Sequence, residues 1–170
     1  LEKALQNHPD LELTLLGEIV DQAYFDEIKS FVDSHELNDK VHFQKFVDPA
    51  DFHQFLGGFH LFIHPSCYAD DKDCEGGAPI VLLDAQATGM PIISTRHCDI
   101  PAEVIHGKTG WLSAEKDVVD LAAGITHFRQ LSQDEYSLYA QQAREHVTRN
   151  FDVRQSGRTL KALYRQLLKA

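Results

Sequence analysis

The sequence predicts an α/β fold with a doubly wound parallel sheet. Short apolar segments alternate with amphipathic helical segments along most of the chain. Such alternation is typical of parallel strands joined by crossover helices that cover both faces of the sheet. The apolar segments are nearly continuous, as expected of strands buried on both faces. Because 170 residues suit one domain, we place a single domain over 1–170.

The strands are predicted from apolar runs that end in turn-forming residues. The first ends at Gly17, and the third ends at Pro65 and Ser66. Glycine and proline end such segments because they interrupt regular backbone pairing. The predicted strands are 11–17, 41–43 with an exit at 46–47, 59–64, 91–94 and 111–112.

The helices are predicted from apolar residues at helical spacing and from their end signals. Asp117 is a candidate N-cap, and Ser132 with Glu135 forms a predicted capping box. In the last helix, Leu160, Leu163 and Leu167 fall on one face. The predicted helices are 1–7, 21–35, a short one opened by 49–51 and ended by 57–58, 78–88, 101–104, 117–130, 133–150 and 153–168.

This arrangement is Rossmann-like, and such sheets bind ligands beyond the carboxyl ends of their strands. Four residues lie at predicted strand ends: Gly17, Val47, Ser66 and Thr95. We therefore expect one cleft at this edge, next to the loop that contains Glu75.

Residues 73–93 carry the strongest indication of a binding site. Gly76 and Gly77 allow a ligand to approach the backbone closely. Pro79 suits the first turn of a helix, whose unpaired N–H groups favour an anion or polar oxygens. Glu75 and Asp84 could each accept hydrogen bonds from a pair of sugar hydroxyls, which indicates a carbohydrate or nucleotide site. The alternative is that both are ordinary solvated acids.

Composition argues against several classes of protein. A formal charge of −10 without a basic stripe argues against nucleic-acid binding. The chain has neither the Gly-x-Gly-x-x-Gly motif of dinucleotide enzymes nor a P-loop. The three cysteines, 67, 74 and 98, are odd in number and lack the spacing of metal ligands, so a disulfide framework is not expected. This favours a reducing, cytoplasmic setting. We expect no metal site; Asp71-Lys72-Asp73 matches an Asp-x-Asp cation motif, but a solvated acidic loop is the simpler interpretation. His97-Cys98-Asp99 is not expected to converge into a cluster.

Several motifs together resemble the C-terminal domain of retaining glycosyltransferases of family 4, which have the two-domain GT-B fold. The central ones are Glu75-Gly76-Gly77-Ala78-Pro79, Asp84-Ala85-Gln86-Ala87-Thr88-Gly89 and Pro91-Ile92-Ile93. The resemblance covers nearly the whole chain, with supporting motifs at 16–17, 41–43, 62–66, 100–104 and 106–112.

The resemblance implies a donor site for a nucleotide-diphosphate sugar linked to UDP, GDP or ADP. Glu75 would be the catalytic-site residue that holds the transferred sugar, with help from the backbone at Gly76, Gly77, Ala78 and Pro79. Asp84 would hold the ribose hydroxyls, Val47 would contact the base through its backbone, and Gly17 would face the ligand. The reaction would retain the anomeric configuration and would need no metal or other cofactor.

The chain departs from the family pattern at four positions. Gly77 looks inserted between the two acids, and the second acid, Asp84, is shorter than the usual Glu. Ala102 separates a usual Pro-Glu pair, and Lys45 stands where glycine is common. These changes could alter the contacts to the sugar.

The resemblance also implies partners that this sequence does not contain. We expect an N-terminal acceptor domain and phosphate-binding basic residues upstream, a glycan or lipid-linked acceptor, and membrane association, if any, through the absent part. The chain alone should bind a nucleotide weakly and transfer nothing, and helix 153–168 could pack on the absent domain. Alternatives are another GT-B enzyme, such as a sugar-nucleotide epimerase or a phosphorylase, or a noncatalytic Rossmann-like binding module.

Overall fold

The computed structural model describes residues 1–70, 72–74 and 77–168. The chain divides into two compact units, Leu1–Phe52 and His53–Ala170. In the described ranges, no helix combines the length and the apolar character needed to cross a bilayer.

The unit Leu1–Phe52 contains two parallel strands and two helices. Its elements are α1 (Glu2–Leu5), β1 (Leu13–Leu16), α2 (Gln22–Ser34) and β2 (Val41–Gln44). Leu13 pairs with Val41, and the register continues to the pair of Leu16 and Gln44. The buried cluster of Val32, Leu37 and Val41 packs against the partly buried side chains of Leu1, Leu5 and Leu15.

The unit His53–Ala170 contains a parallel three-stranded sheet with the order β3-β4-β5. The strands are β3 (Phe62–His64), β4 (Ile92–Thr95) and β5 (Gly110–Ser113). Every residue of the central strand β4 is buried, because strands flank it on both sides and helices cover it. The helices are α3 (Phe52–Leu56, which begins at the boundary of the units), α4 (Ile80–Ala87), α5 (Ile100–Glu103), α6 (Val118–Gln130), α7 (Gln133–Asn150) and α8 (Val153–Leu167).

The helices of the second unit differ in how far their apolar residues are buried. Helix α4 contacts β3, β4 and α7, whereas α6 contacts β4 and β5. Leu82 and Ala85 of α4 are fully buried, as are Ile92 and Ile93 of β4. Helix α8 differs, since Leu160, Leu163 and Leu167 are all more than half exposed.

The predicted fold class is confirmed, since every paired strand is parallel and helices alternate with strands. Both predicted caps are also present: Asp117 accepts a hydrogen bond from Asp120 N at 2.9 Å, and Ser132 and Glu135 form a capping box. Several boundaries are wrong: β1 covers Leu13–Leu16 and not 11–17, β3 covers Phe62–His64 and not 59–64, and α1 ends at Leu5 and not at residue 7. Helix α4 begins at Ile80 and not at residue 78, because a residue that precedes proline disfavours the α conformation. The single domain over 1–170 stays a prediction.

Candidate functional site

The carboxyl ends of β3, β4 and β5 lie at one edge of the second unit. Two buried hydroxyls connect the first two strands there: Ser94 Oγ donates to the His64 carbonyl, and Thr95 Oγ1 donates to the Ser66 carbonyl. Because the strands are parallel, the segments that follow them, which begin at residues 65, 96 and 114, emerge at the same edge. This edge is where a Rossmann-like sheet places its ligand.

The start of α4 belongs to this edge. The Gly77 carbonyl accepts a hydrogen bond from Asp99 N at 2.9 Å, which places the residues before α4 beside the loop after β4. Pro79 is the N-cap, with an extended backbone and no side-chain capping bond. The Leu82 N–H already donates to the Pro79 carbonyl at 2.9 Å, whereas the N–H groups of Ile80 and Val81 have no backbone partner among the described residues and can meet a polar ligand. Glu75 and Gly76, which we predict to hold the sugar, lie outside the described residues.

Gly77 lies close to the loop after β4, and a side chain at this position would have a tight contact there. A Cβ atom at this position would lie 3.1 Å from Cys98 Cβ and 3.7 Å from an oxygen of Asp99. The close approach to the loop after β4 explains why the apparently inserted residue is a glycine. Ala78 is exposed and Pro79 is half-buried, so both are placed in reach of a ligand at this edge.

Asp84 lies on the partly exposed face of α4, with 40% of its side chain accessible. Its Oδ1 atom is 3.5 Å from Nε2 of His53, a residue that the sequence did not single out. A ribose diol bound at Asp84 would therefore meet the His53 imidazole, which can share the same hydroxyls. The prediction that Asp84 binds ribose remains a prediction, with His53 as its neighbour.

Gly17 and Val47 belong to the other unit and are described within it. Gly17 follows β1, and its N–H donates to the Gln44 carbonyl at 3.0 Å. Nothing lies within 4 Å of a Cβ atom built there, so the space beside it is open. Val47 is half-buried in the irregular segment after β2. Gly17 directly follows β1, whereas Val47 lies three residues beyond the end of β2 at Gln44, and the contact of either with a nucleotide stays a prediction.

The second unit also brings together two cysteines and a histidine for which the sequence indicated no shared site. Cys74, His97 and Cys98 each offer one ligand atom, and these three atoms lie within 4.8 Å of one another. The expectation that His97 and Cys98 would not converge is wrong, since Cys98 Sγ is 3.4 Å from His97 Nε2. Cys98 has a φ of 45°, and this left-handed conformation turns its side chain back towards its neighbour. We call these three residues the thiol–imidazole cluster.

Two further side chains border the thiol–imidazole cluster. His97 Nδ1 lies 2.8 Å from Glu115 Oε1, and the Tyr68 N–H donates to Oε2 of the same carboxylate at 3.2 Å. The hydrogen bond from His97 lowers the pKa of Glu115, and the bond from the Tyr68 backbone adds to this effect. The Tyr68 hydroxyl lies 3.3 Å from Cys98 Sγ, and this hydrogen bond raises the pKa of Tyr68.

Sequence reasoning missed these residues because it judged cysteines by their spacing along the chain. The order of elements contained a usable signal. Cys74 follows β3, Cys98 follows β4 and Glu115 follows β5, so three adjacent strand ends bring the loops together. Asp71, the first acid of the Asp-x-Asp motif, lies outside the described residues.

A separate cleft of about 450 Å³ lies between α4 and α7. Its described lining includes Thr88, Gly89 and Arg144 and contains none of the predicted site residues. The Arg144 guanidinium donates to the Thr88 carbonyl at 2.8 Å, and Glu145 and Arg149 form an ion pair at 3.1 Å, so the charged side chains that line this cleft already have partners. We place the candidate site at the carboxyl edge of the sheet and not in this cleft.

Comparison with known proteins gives a match over most of the chain. The family model described as "Glycosyl transferases group 1" matches residues 1–146. The chain is 32% identical over 136 residues to the Salmonella typhimurium protein named "Putative colanic acid biosynthesis glycosyltransferase WcaL", covering 80% of this chain and 33% of that protein. It is 33% identical over 104 residues to the Erwinia amylovora amylovoran biosynthesis glycosyltransferase AmsK, covering 61% of this chain and 25% of that protein. The chain thus spans a third or less of the length of these relatives.

Solved structures confirm the fold. The Anabaena protein HepE, solved in complex with UDP-glucose, superimposes with a TM-score of 0.79 at 22% identity. The match covers 95% of this chain and 44% of that chain. At this level of identity the similarity concerns the fold alone.

Proposed function

Because the chain belongs to the glycosyl transferases group 1 family, we propose that it forms the donor-binding part of a retaining glycosyltransferase. The whole protein would move a hexosyl group from a nucleotide-diphosphate sugar to a glycan or lipid-linked acceptor in surface polysaccharide synthesis. The biosynthetic names of two relatives and the UDP-glucose complex of HepE support this proposal.

The observation that carries the proposal is the arrangement at the start of α4. The helix opens without a side-chain cap, at the carboxyl edge of a parallel sheet, and presents a carboxylate on its partly exposed face. Unpaired N–H groups and the positive end of the helix dipole suit phosphate or sugar oxygens. Asp84 suits the ribose diol, and Glu75, adjacent in sequence to Cys74, is assigned to hydroxyls of the transferred sugar.

The transfer itself would use groups of both donor and protein without a metal. The donor phosphate would help to remove the proton from the acceptor hydroxyl, while Glu75 orients the sugar. Val47 would contact the base through its backbone, and Gly17 would allow close approach of the donor. The chain alone would bind the nucleotide and would not turn over, because the acceptor domain and the upstream phosphate-binding cations belong to other parts of the protein. We place the enzyme in the cytoplasm, a setting that suits the free thiols at 67, 74 and 98.

Nucleotide binding tests this proposal directly. The chain is titrated with UDP, GDP and ADP, free and glucose-linked, by calorimetry and by backbone NMR. Asp84→Asn should weaken binding about 10- to 100-fold, because a hydrogen bond to a charged group contributes about 1.5–3 kcal/mol. The matched control is Asp134→Asn, which changes an exposed acid in the first turn of α7. Equal effects of the two substitutions, or no binding of any nucleotide, would contradict the proposal and favour a noncatalytic module.

A second assay separates the enzyme alternatives. The full-length protein is incubated with the donor that binds, and the fate of its sugar is followed. Transfer to an added glycan or lipid-linked acceptor supports the proposal, whereas inversion at a sugar carbon without transfer indicates an epimerase. Turnover by the 170-residue chain alone would refute the expected division of the active site between two domains.

A further inference from the structure

We propose that the thiol–imidazole cluster, Cys74, His97 and Cys98, binds a zinc ion that fixes the loop before α4 to the loop after β4. Zinc favours thiolate and imidazole ligands, and sets of two cysteines with one histidine are among those it uses. This inference concerns the residues that flank the donor site, and it does not require that the chain bind a nucleotide.

The distances suit a tetrahedral ion after a small contraction. With usual bond lengths, a tetrahedral zinc site separates a sulfur from a nitrogen by about 3.6 Å and two sulfurs by about 3.8 Å. Cys98 Sγ and His97 Nε2 are 3.4 Å apart, and all three ligand atoms lie within 4.8 Å of one another. A shift of the Cys74 side chain by about 1 Å therefore completes three corners of the tetrahedron.

His97 is already oriented as a zinc ligand. Its side chain is 1% exposed, and its Nδ1 atom lies 2.8 Å from Glu115 Oε1. An ionised carboxylate can only accept, so Nδ1–H donates to Glu115 and Nε2 presents its lone pair to the cysteines. A carboxylate that holds one imidazole nitrogen while the other binds the ion is the usual arrangement around metal-bound histidine. Glu115 is thus a positioning residue, and its place after β5 explains why a third loop takes part.

The site is accessible to solvent, and its fourth tetrahedral position is open to an oxygen ligand. Cys98 is exposed, whereas Cys74 is half-buried, so an ion can reach the cluster from solvent. The Tyr68 hydroxyl lies 3.3 Å from Cys98 Sγ, and either this oxygen or a water can take the fourth position. Two thiolates neutralise the charge of the ion, so the site needs no further anion.

The ion would act on the loop that bears the sugar-binding residues. Gly77 lies so close to Cys98 that a Cβ atom added to it would be 3.1 Å from Cys98 Cβ, and its carbonyl accepts a hydrogen bond from Asp99 N at 2.9 Å. Cys74 directly precedes Glu75 in the sequence. A bond from zinc to Cys74 would add a second attachment to the loop after β4. The two attachments would then bracket residues 75 and 76.

The competing chemistry is a disulfide between Cys74 and Cys98. A disulfide would use neither the lone pair of His97 nor its bond to Glu115, whereas a zinc ion uses both. The presence of the oriented imidazole therefore favours the ion, and the disulfide is one outcome that the test must detect.

The test uses cobalt as a spectroscopic probe and zinc as its competitor. The reduced chain is freed of metal with a chelator and titrated with Co²⁺ under anaerobic conditions. We expect one equivalent to produce a thiolate-to-cobalt charge-transfer band with the visible bands of tetrahedral cobalt, and one equivalent of Zn²⁺ to abolish both. Failure of either metal to bind, or detection of a Cys74–Cys98 disulfide by mass spectrometry in the freshly purified chain, would overturn the proposal.

Variants assign the ligands. Cys74→Ser and Cys98→Ser should each lose one thiolate's share of the charge-transfer band and weaken zinc binding, whereas Cys67→Ser is the matched control and should retain both. Glu115→Gln should weaken zinc binding about 10- to 100-fold. The metal-free Glu115→Gln chain should melt somewhat lower, because it loses the ionised acceptor of the His97 and Tyr68 hydrogen bonds. The rise in melting temperature on adding Zn²⁺ should also be smaller than in the parent chain, and this second effect separates a positioning role from a structural one. Equal loss in Cys67→Ser, or undiminished binding in Cys74→Ser, would exclude this ligand set.

Discussion

The two units of the chain differ in how completely their strands are buried. In Leu1–Phe52, β1 is at most half-buried along its length, and β2 has one buried residue, Val41. In His53–Ala170, all four residues of β4 are buried. The cause lies in the strand count of each sheet: two strands are both edges, whereas a third strand creates a central position that neighbours cover on each side.

This difference bears on how each unit can hold a ligand. In the second unit, the strand ends are connected by buried hydroxyls, and side chains from three loops meet at Glu115 and the thiol–imidazole cluster. In the first unit, Gly17 and Val47 offer only backbone groups at the ends of weakly covered strands. Local stability follows buried apolar contacts, so the first unit should open at a lower free energy than the second.

The largest expected difference in stability between the units comes from replacing one glycine in each with alanine. A Cβ atom at Gly110 would collide with the Ile92 carbonyl and would lie 2.8 Å from Val104 Cγ1, whereas a Cβ at Gly17 would meet nothing within 4 Å. Gly110→Ala should therefore lower the free energy of unfolding by about 1–3 kcal/mol or more. Gly17→Ala should change it by less than about 0.5 kcal/mol.

Urea denaturation of both variants checks this pair, with hydrogen exchange to assign the effect to a unit. Gly110→Ala should speed exchange in the amides of β4 and β5. If Gly17→Ala proves equally destabilising, the space beside Gly17 is not open, and the comparison between the units fails. A Gly17→Ala chain that is stable and binds nucleotide unchanged would remove Gly17 from the predicted donor site.

Elements and caps could be predicted well from the sequence because they depend on local patterns. Ser132 and Glu135 satisfy each other within one helical turn, and the apolar spacing of α2 follows from a single helix face. The predicted start of α4 is two residues early because Pro79 fits both an N-cap and a first helical position. For the predicted site residues, the sequence pattern indicated which strand each one follows, but it gave no distances between them. The position of His53 beside Asp84 had no local signal in the sequence.

The thiol–imidazole cluster was missed for a different physical reason. Metal spacing rules describe ligands held by one short loop or one helix, whereas Cys74, His97 and Glu115 come from loops after three different strands. Their proximity results from the strand order β3-β4-β5, which alternation of helices and strands does not determine. The sequence also did not predict that Gln86 and Glu103 are buried and joined by a hydrogen bond from Gln86 Nε2 to the Glu103 carbonyl. An acid in a short helix is usually exposed, so its burial had no local signal.

The second-largest expected change in stability concerns Glu103, a buried acid of the second unit. The residue is 4% exposed, and its Oε2 atom lacks a hydrogen-bond partner among the described residues. Burial raises the pKa of Glu103 above its ordinary value of 4.5, and Asp99 adds to the rise. The folded state therefore holds this proton more tightly than the unfolded state, and stability falls as pH rises from the ordinary pKa through the raised one.

Glu103→Gln should accordingly stabilise the protein at neutral pH by about 1–2 kcal/mol, because it removes a buried charge. The gain corresponds to about 2–4 °C in melting temperature for each kcal/mol. The bond from Gln86 Nε2 to the Glu103 carbonyl should persist, since it uses the backbone. Calorimetry across the pH range checks this: the gain should vanish in acid, below the ordinary pKa of a glutamate. A gain of the same size at every pH would show that charge burial is not its source.

The smallest effects come from a matched pair of helix caps, one in each unit. Asp21 accepts a hydrogen bond from Tyr24 N at 3.1 Å at the start of α2, and Ser132 accepts one from Glu135 N at 3.3 Å at the start of α7. Removing either cap with alanine should cost about 1 kcal/mol. Ser137→Ala, inside α7, is the control and should be close to neutral, because both hydrogen bonds of Ser137 Oγ are exposed and join it to Gln133 one turn back. Hydrogen exchange should place the effect of Asp21→Ala in α2 and β2, where we expect faster exchange than in the second unit, and that of Ser132→Ala in α7 and α4. If Asp21→Ala instead speeds exchange in β4 as much as in α2, the two units unfold together. The small buried cluster of Leu1–Phe52 then does not determine the stability of that unit.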